Sequence, residues 1–266
     1  MRVSRAVAGA VLVVALAAGG CSGGGGDGDA AAGSTTATAD ESGTAMTVDP
    51  AAVDVARQYL EALTADGGPD LDAMTAVSAA DSVAEDYAVH TAALAELQAA
   101  SGEPASGGEV RVDGDTVIAT LVGSSGSSID TTWADFTLDD DGRLVDFTID
   151  GTPLDDRLIV GGASDTVADV TVSVASAFEL VTNDSPVVIL EIDNGAAGAY
   201  RLRGAAYEAP DGTTVSSSPA GRGLLVRAGA TSRALLVFAT APFGGTLALT
   251  GIVGGATVTH ELPLTP

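Results

Sequence analysis

The sequence predicts an α+β chain, with three helices on a curved antiparallel sheet followed by an all-β sandwich. Three observations lead there. Capped patterns of helical period occur only in a stretch after residue 48, and everything beyond residue 108 reads as short β-branched runs between turn residues. The charge divides as well: Cys21 to Leu158 holds 27 acids and 4 arginines, whereas Ile159 to Pro266 holds 9 acids and 5 arginines. Such a shift in surface character predicts two domains, 49–158 and 159–266.

The first twenty residues read as an export signal. Arg2 and Arg5 form a positive start, Ala6 to Ala18 an apolar run, and Ala18-Gly19-Gly20 a small-residue cleavage site. The apolar run is too short to span a bilayer comfortably. Cys21, the sole cysteine, follows at once. The stretch Leu16-Ala17-Ala18-Gly19-Gly20-Cys21 resembles the lipobox of bacterial lipoproteins, with Ala18 standing where such boxes more often carry leucine. The resemblance implies that the Cys21 sulfur receives a diacylglyceryl group and that cleavage leaves Cys21 as the first mature residue. It further implies palmitate-type acylation and a place on the outer face of the cell membrane. The alternative, a secreted protein with a stray cysteine, leaves the glycine run after Cys21 unexplained. Two acyl chains hold far more firmly than a single myristoyl chain.

Composition removes several function classes. Cutting after Gly20 removes two arginines and no acid, so 36 acids against 9 arginines leave 27 net negative charges. That charge excludes nucleic acid as a partner and opposes docking on anionic head groups. All eleven basic residues are arginine, so lysine-based Schiff-base, phosphate-loop and Ser-x-x-Lys chemistry is ruled out. With Cys21 committed to lipid, thiol catalysis and cysteine metal sites go too. His90 and His260 fall in different predicted domains, so neither a metal nor another cofactor is expected. The Ala, Gly, Asp and Thr bias without lysine fits a high-GC actinobacterial source.

Ser22 to Val48 is Gly, Ala, Ser, Thr and acid with no aromatic residue, and is expected to be a flexible tether (21–48 with the anchor). At roughly 5–6 Å times the square root of its length, it would hold the folded part about 30 Å from the membrane. Asp49-Pro50 then opens a helix, with Val53, Ala56, Leu60 and Leu63 at helical spacing until Asp66-Gly67-Gly68-Pro69. A short helix is expected from Asp70 to Ala76. Ser82 to Glu85 has capping-box form, and Val83, Tyr87, His90, Leu94 and Leu97 are expected on one face of a third helix. Strands follow at Glu109–Asp113, Thr116–Gly123, Ile129–Leu138 and Arg143–Asp150.

This order, with Arg57-Gln58-Tyr59-Leu60-Glu61-Ala62-Leu63, resembles the nuclear transport factor 2-like superfamily over roughly Asp49 to Leu158. The resemblance implies a cone of sheet closed by helices. The superfamily includes ketosteroid isomerase and polyketide cyclases, along with many non-catalytic domains of actinobacterial lipoproteins. Beyond Thr166, runs at 170–180, 187–192, 200–207, 224–227, 233–238, 246–252 and 257–262 predict seven strands of a sandwich. Their spacing is similar to that of immunoglobulin-like domains of bacterial surface lipoproteins, without paired cysteines or a core tryptophan. Between the two parts, Pro153 and Gly161-Gly162 suit a linker, yet Leu158, Ile159 and Val160 suit burial at an interface.

Four residues are candidates for a pocket: Tyr59, Tyr87, His90 and Trp133. Tyr59 resembles the oxyanion-stabilising tyrosine of ketosteroid isomerase, but no acid in the third helix matches the family's base. His90 on an apolar stripe would serve as a base only with a nucleophile and an orienting carboxylate, neither of which can be assigned. Trp133 alternates onto the face opposite Phe136 and Leu138 unless a bulge intervenes, making it a packing residue or a pocket wall. Asp139-Asp140-Asp141-Gly142 reads as a hairpin turn, because a calcium loop placed on Gly142 would have Thr137 at position one and Thr148 at position twelve. Arg201, Arg203, Arg222, Arg227 and Arg233 suit either a seam against the acidic first part or a solvated surface. The expected function is a non-enzymatic envelope lipoprotein binding a protein, wall polymer or small apolar ligand. Its rival is an isomerase-, cyclase- or hydrolase-type enzyme in the cone.

Overall fold

A computed structural model describes residues 49–103, 107–122, 128–217 and 224–265. Residues 1–20, expected to be an export signal, Cys21, the expected tether up to residue 48, and Arg222 lie outside the described residues. The fold is α+β and mostly β, with three helices and antiparallel sheets among the described residues.

Each helix begins where its cap predicts. Helix α1 (Pro50–Leu63) starts after Asp49, whose carboxylate accepts the Ala51 N–H at 2.9 Å, and ends at Thr64, whose hydroxyl donates to the Leu60 carbonyl. Helix α2 (Leu71–Val77) is capped by Asp70, which accepts from Ala73 at 3.0 Å. Helix α3 (Val83–Ser101) is capped by Ser82 accepting from Glu85, and it stops at Gly102 with φ of +89°, a left-handed conformation suited to glycine. The Glu85 carboxylate returns to the N–H of Asp81, one residue before the usual capping-box position.

The single apolar face expected on α3 is not what buries it. Ala84, Tyr87, Ala88 and His90 are buried, whereas Val83, Leu94 and Leu97 remain half-buried. The helix is apolar around its circumference because partners stand on more than one side of it. It packs on the sheet strand β4 (Leu144–Ile149) and also on β6 (Leu158–Val160), β8 (Val170–Leu180) and β13 (Ala230–Val237).

The first sheet is a meander of β1 (Gly108–Asp113), β2 (Thr116–Val122), β3 (Ser128–Leu138), β4 and β5 (Thr152–Pro153), neighbours in chain order and all antiparallel. Gly114, with φ of +65°, turns β1 into β2. At the β3–β4 hairpin the Asp139 carboxylate accepts the N–H groups of Asp141 and Arg143, the Asx-type turn that such a sequence favours. A bulge does intervene in β3: the register shifts between Ala134 and Thr137, and Asp135 takes a φ of +54°. Trp133 and Phe136 therefore both pack into the same core, not onto opposite faces.

The remaining strands are β7 (Ser164–Val167), β9 (Ser185–Asn194), β10 (Tyr200–Glu208), β11 (Thr214–Ser217), β12 (Leu225–Val226), β14 (Thr246–Val253) and β15 (Ala256–Pro263). One sheet runs β13-β9-β8-β6 with β7 also on β8; the other runs β11-β10-β14-β15 with β12 also on β10. Alternating residues of both sheets, among them Val172, Leu190, Tyr200, Leu202, Phe238 and Leu249, form one core. Three short strands, β5, β7 and β11, carry too few apolar residues to be read from the sequence, and β6, although wholly apolar, is only three residues long. The stretch 151–165 resolves toward burial: Leu158 and Ile159 are 7% and 8% exposed, and β6 pairs with β8.

Candidate functional site

The four candidate residues sit where the helices, the first sheet and β8 meet. Helix α1 supplies Tyr59, α3 supplies Tyr87 and His90, and β3 supplies Trp133. Phe147 of β4 lies at the centre, with ring centroids 4.7 Å from Trp133 and 5.8 Å from both Tyr59 and Tyr87. Tyr87 stands edge-on to Trp133 at 5.6 Å and to Phe178 of β8 at 5.3 Å. These are the offset and edge-to-face distances that aromatic quadrupoles prefer. Tyr59, Tyr87 and Trp133 are thus brought together as one packed cluster, and His90 joins its rim through Phe178, 5.8 Å away.

The polar ends of these side chains are mostly engaged. The Tyr59 hydroxyl donates to the Ala84 carbonyl at 2.7 Å, and the Trp133 indole N–H donates to the Thr131 hydroxyl at 2.9 Å. Tyr59 is 0% exposed, which leaves no water-sized space beside it. Burial pushes its phenol well above the ordinary range, and the neighbouring Tyr87 adds to that; burial likewise raises Tyr87. No carboxylate contributes to either shift. A phenol in this state can donate one hydrogen bond and fill space, but it meets no base.

His90 is 1% exposed and lies between α3 and β8. Its Nδ1 is 2.9 Å from the Ser176 hydroxyl, while Nε2 has no partner among the described residues. Burial lowers its pKa to about 4, since the charged ring would lack both water and a counter-ion. The imidazole is therefore a neutral seam residue above that pH. His260 of β15 is 0% exposed, with Nδ1 3.5 Å from the Asp165 carboxylate, and burial lowers it too, opposed by that carboxylate.

An open cleft of about 550 Å³ lies elsewhere, where residues 152–157 pass the end of β8 and the segment after β13. Its walls include Pro153, Asp156, Arg157, Glu179, Asp184 and Phe243, and none of the four candidates. Arg157 Nη1 is 3.3 Å from Glu179 and 3.1 Å from Asp184, and the other Glu179 oxygen accepts the Phe243 N–H. Arg157 is thus shared by two carboxylates, while Asp155 and Asp156 have no ion pair among the described residues and leave the cleft acidic. Sequence reasoning missed this place because it joins three segments far apart in the chain. The one available signal was the Leu158-Ile159-Val160 run, which marks the buried edge of the junction.

The arginines divide between the two roles expected of them. Arg233 forms part of a seam, 3.5 Å from Glu96 of α3 and 3.5 Å from Glu191. Arg201, Arg203 and Arg227 face outward without an ion-pair partner among the described residues. In the same residues, no group of three or more His, Cys, Asp or Glu is gathered as a metal site would require, and no helix is long and apolar enough to cross a membrane. No protein-family model and no curated protein matches the chain.

Proposed function

We propose that this protein is a non-enzymatic lipoprotein of the bacterial cell envelope, anchored through Cys21 on the outer side of the membrane. In this reading residues 1–20 are the signal and 21–48 the tether. Residues 49–158 form a nuclear transport factor 2-like cone, and residues 159–266 form an immunoglobulin-like sandwich. Together they present binding surfaces to an envelope protein, a wall polymer or a small apolar ligand.

The observation that carries the non-enzymatic part is the filled interior of the helix-bearing half. Chemistry of the isomerase or cyclase kind needs a cavity with a phenol and a carboxylate pointing into it. Here the Tyr59 hydroxyl donates its hydrogen bond to a backbone carbonyl, and Trp133 and Phe147 occupy the space beyond it. The anchored part rests on the lipobox-like stretch Leu16 to Cys21 and on the glycine-rich segment that follows it.

The test is metabolic labelling with a palmitate analogue in a bacterium that processes lipoproteins. The wild-type chain should carry label and sediment with membranes, while Cys21→Ala should be unlabelled and leave the membrane fraction. Label retained by Cys21→Ala, or absent from the wild type, would refute the anchor. Turnover of an enolisable ketone that falls in Tyr59→Phe would refute the non-enzymatic reading.

A further inference from the structure

The outward face of the sheet β11-β10-β14-β15 carries a cluster of positive charge on an otherwise acidic molecule. Tyr200 and Leu202 of β10 are buried in the core, whereas Arg201 between them is half-buried and Arg203, at a bulge in the β10–β14 pairing, is exposed. On the neighbouring strand Leu225 pairs with Arg201, Val226 is buried, and Arg227 continues on the outer side. The three arginines and Leu225 thus occupy neighbouring backbone positions at one end of this sheet. Leu225 is 50% exposed, more than any other large apolar residue among those described.

Among the described residues of these strands, acids are kept off this end of the face. The outward residues of β14 and β15 beside the arginines are Thr250, Ile252, Thr257 and Thr259. Glu208 and Glu261 lie toward the other end, opposite Thr246 and Ala248, whereas Arg201 lies opposite Ile252. Elsewhere Arg57, Arg111, Arg157 and Arg233 each have a carboxylate within 4 Å. Among the described residues Arg143, at the β3–β4 turn, also lacks one but stands alone, whereas Arg201, Arg203 and Arg227 lie together at one end of one sheet and leave it open for an outside anion.

We infer that this face docks an acidic protein segment, one that places carboxylates on Arg201, Arg203 and Arg227 and an apolar side chain on Leu225. Arginines around an apolar centre match the composition of protein interfaces. A phosphate polymer would satisfy the arginines and leave Leu225 in water. An anionic membrane would meet the whole molecule, whose net charge of −25 repels it. The inference deepens the binding-module reading and rests on it.

The test uses the full chain in a non-ionic detergent and a fluorescent peptide of aspartates and glutamates around one leucine, read by anisotropy. Binding should be saturable at low salt and weaken as salt rises. The triple variant Arg201→Ala, Arg203→Ala, Arg227→Ala should bind about tenfold more weakly, since three exposed pairs are lost. Leu225→Ala should weaken the leucine-bearing peptide severalfold and leave a leucine-free peptide of equal charge unaffected. All four side chains are exposed or half-buried and unpaired, so circular dichroism and melting should not change. Equal binding by the triple variant would overturn the inference. So would tighter, Leu225-independent binding of inorganic polyphosphate, or arginine-dependent capture by phosphatidylglycerol vesicles. Failure here with Cys21 still acylated removes this face alone; peptide binding by a chain not acylated at Cys21 removes the anchor alone.

Discussion

Acid should weaken this protein through His90, and the size of the effect follows from its surroundings. In the folded chain burial holds the imidazole pKa at about 4, and in the unfolded chain it returns to 6.5. Above pH 6.5 both states are neutral and His90 adds no pH dependence. Below 6.5 the unfolded chain takes up a proton that the native seam refuses, so stability falls until the pH reaches the folded value. Between pH 7 and 4.5 the loss assigned to this one group is about 2 to 3 kcal/mol. The perturbation is His90→Asn, which keeps a polar group near the position of Nδ1, facing Ser176, and does not titrate. Urea unfolding of both proteins, followed by the fluorescence of Trp133, the sole tryptophan, gives stability at each pH. His260 is also lowered, and Asp86 and Asp146 are raised, chiefly by burial; these contributions are common to both proteins and cancel in the difference. The wild type should lose about 2 to 3 kcal/mol more than His90→Asn on acidification. A difference that stays flat from pH 7 to 4.5 would show that His90 is hydrated or already paired in solution, and the buried seam would be wrong.

Other substitutions probe the packing. Trp133→Ala should cost about 3–5 kcal/mol by urea or thermal unfolding, because it empties the space between Phe147 and Tyr87. Gly251→Ala places a methyl group inside the Tyr200 ring, so that ring must move within a full core, and a loss of about 1–3 kcal/mol is expected from thermal melts. Arg157→Ala leaves the Glu179 carboxylate, with 8% of its side chain exposed, without its cation. Its cost should be about 2 kcal/mol by urea unfolding near neutral pH, and Arg157→Lys, which keeps the charge, should recover part of it.

Local chemistry made much of the architecture legible. Asp49-Pro50, Asp70 and Ser82 each carry a side-chain oxygen that can satisfy free N–H groups within a few residues, so all three helix starts were readable. The long strands were readable from alternation, and β8 runs from Val170 to Leu180 as the pattern requires. The short strands β5, β6, β7 and β11 were not, since two to four residues hold too little pattern and gain their hydrogen bonds only from a neighbour already in place. The face of α3 was misread for a related reason. Helical period shows which residues align, but not how many partners the helix will have.

Sequence alone determined what depends on neighbours along the chain: helix caps, turn glycines, the acidic balance, the absence of lysine and the lipobox-like run before Cys21. Tertiary structure decided what depends on residues distant in sequence. Only there does the bulge at Asp135 turn Trp133 and Phe136 into one core, and only there does His90 find Ser176, 86 positions later. The same is true of Arg201, Arg203 and Arg227, whose charge was visible from the start. Whether an arginine is paired depends on which carboxylates the fold brings within about 4 Å, and strand pairing sets that distance.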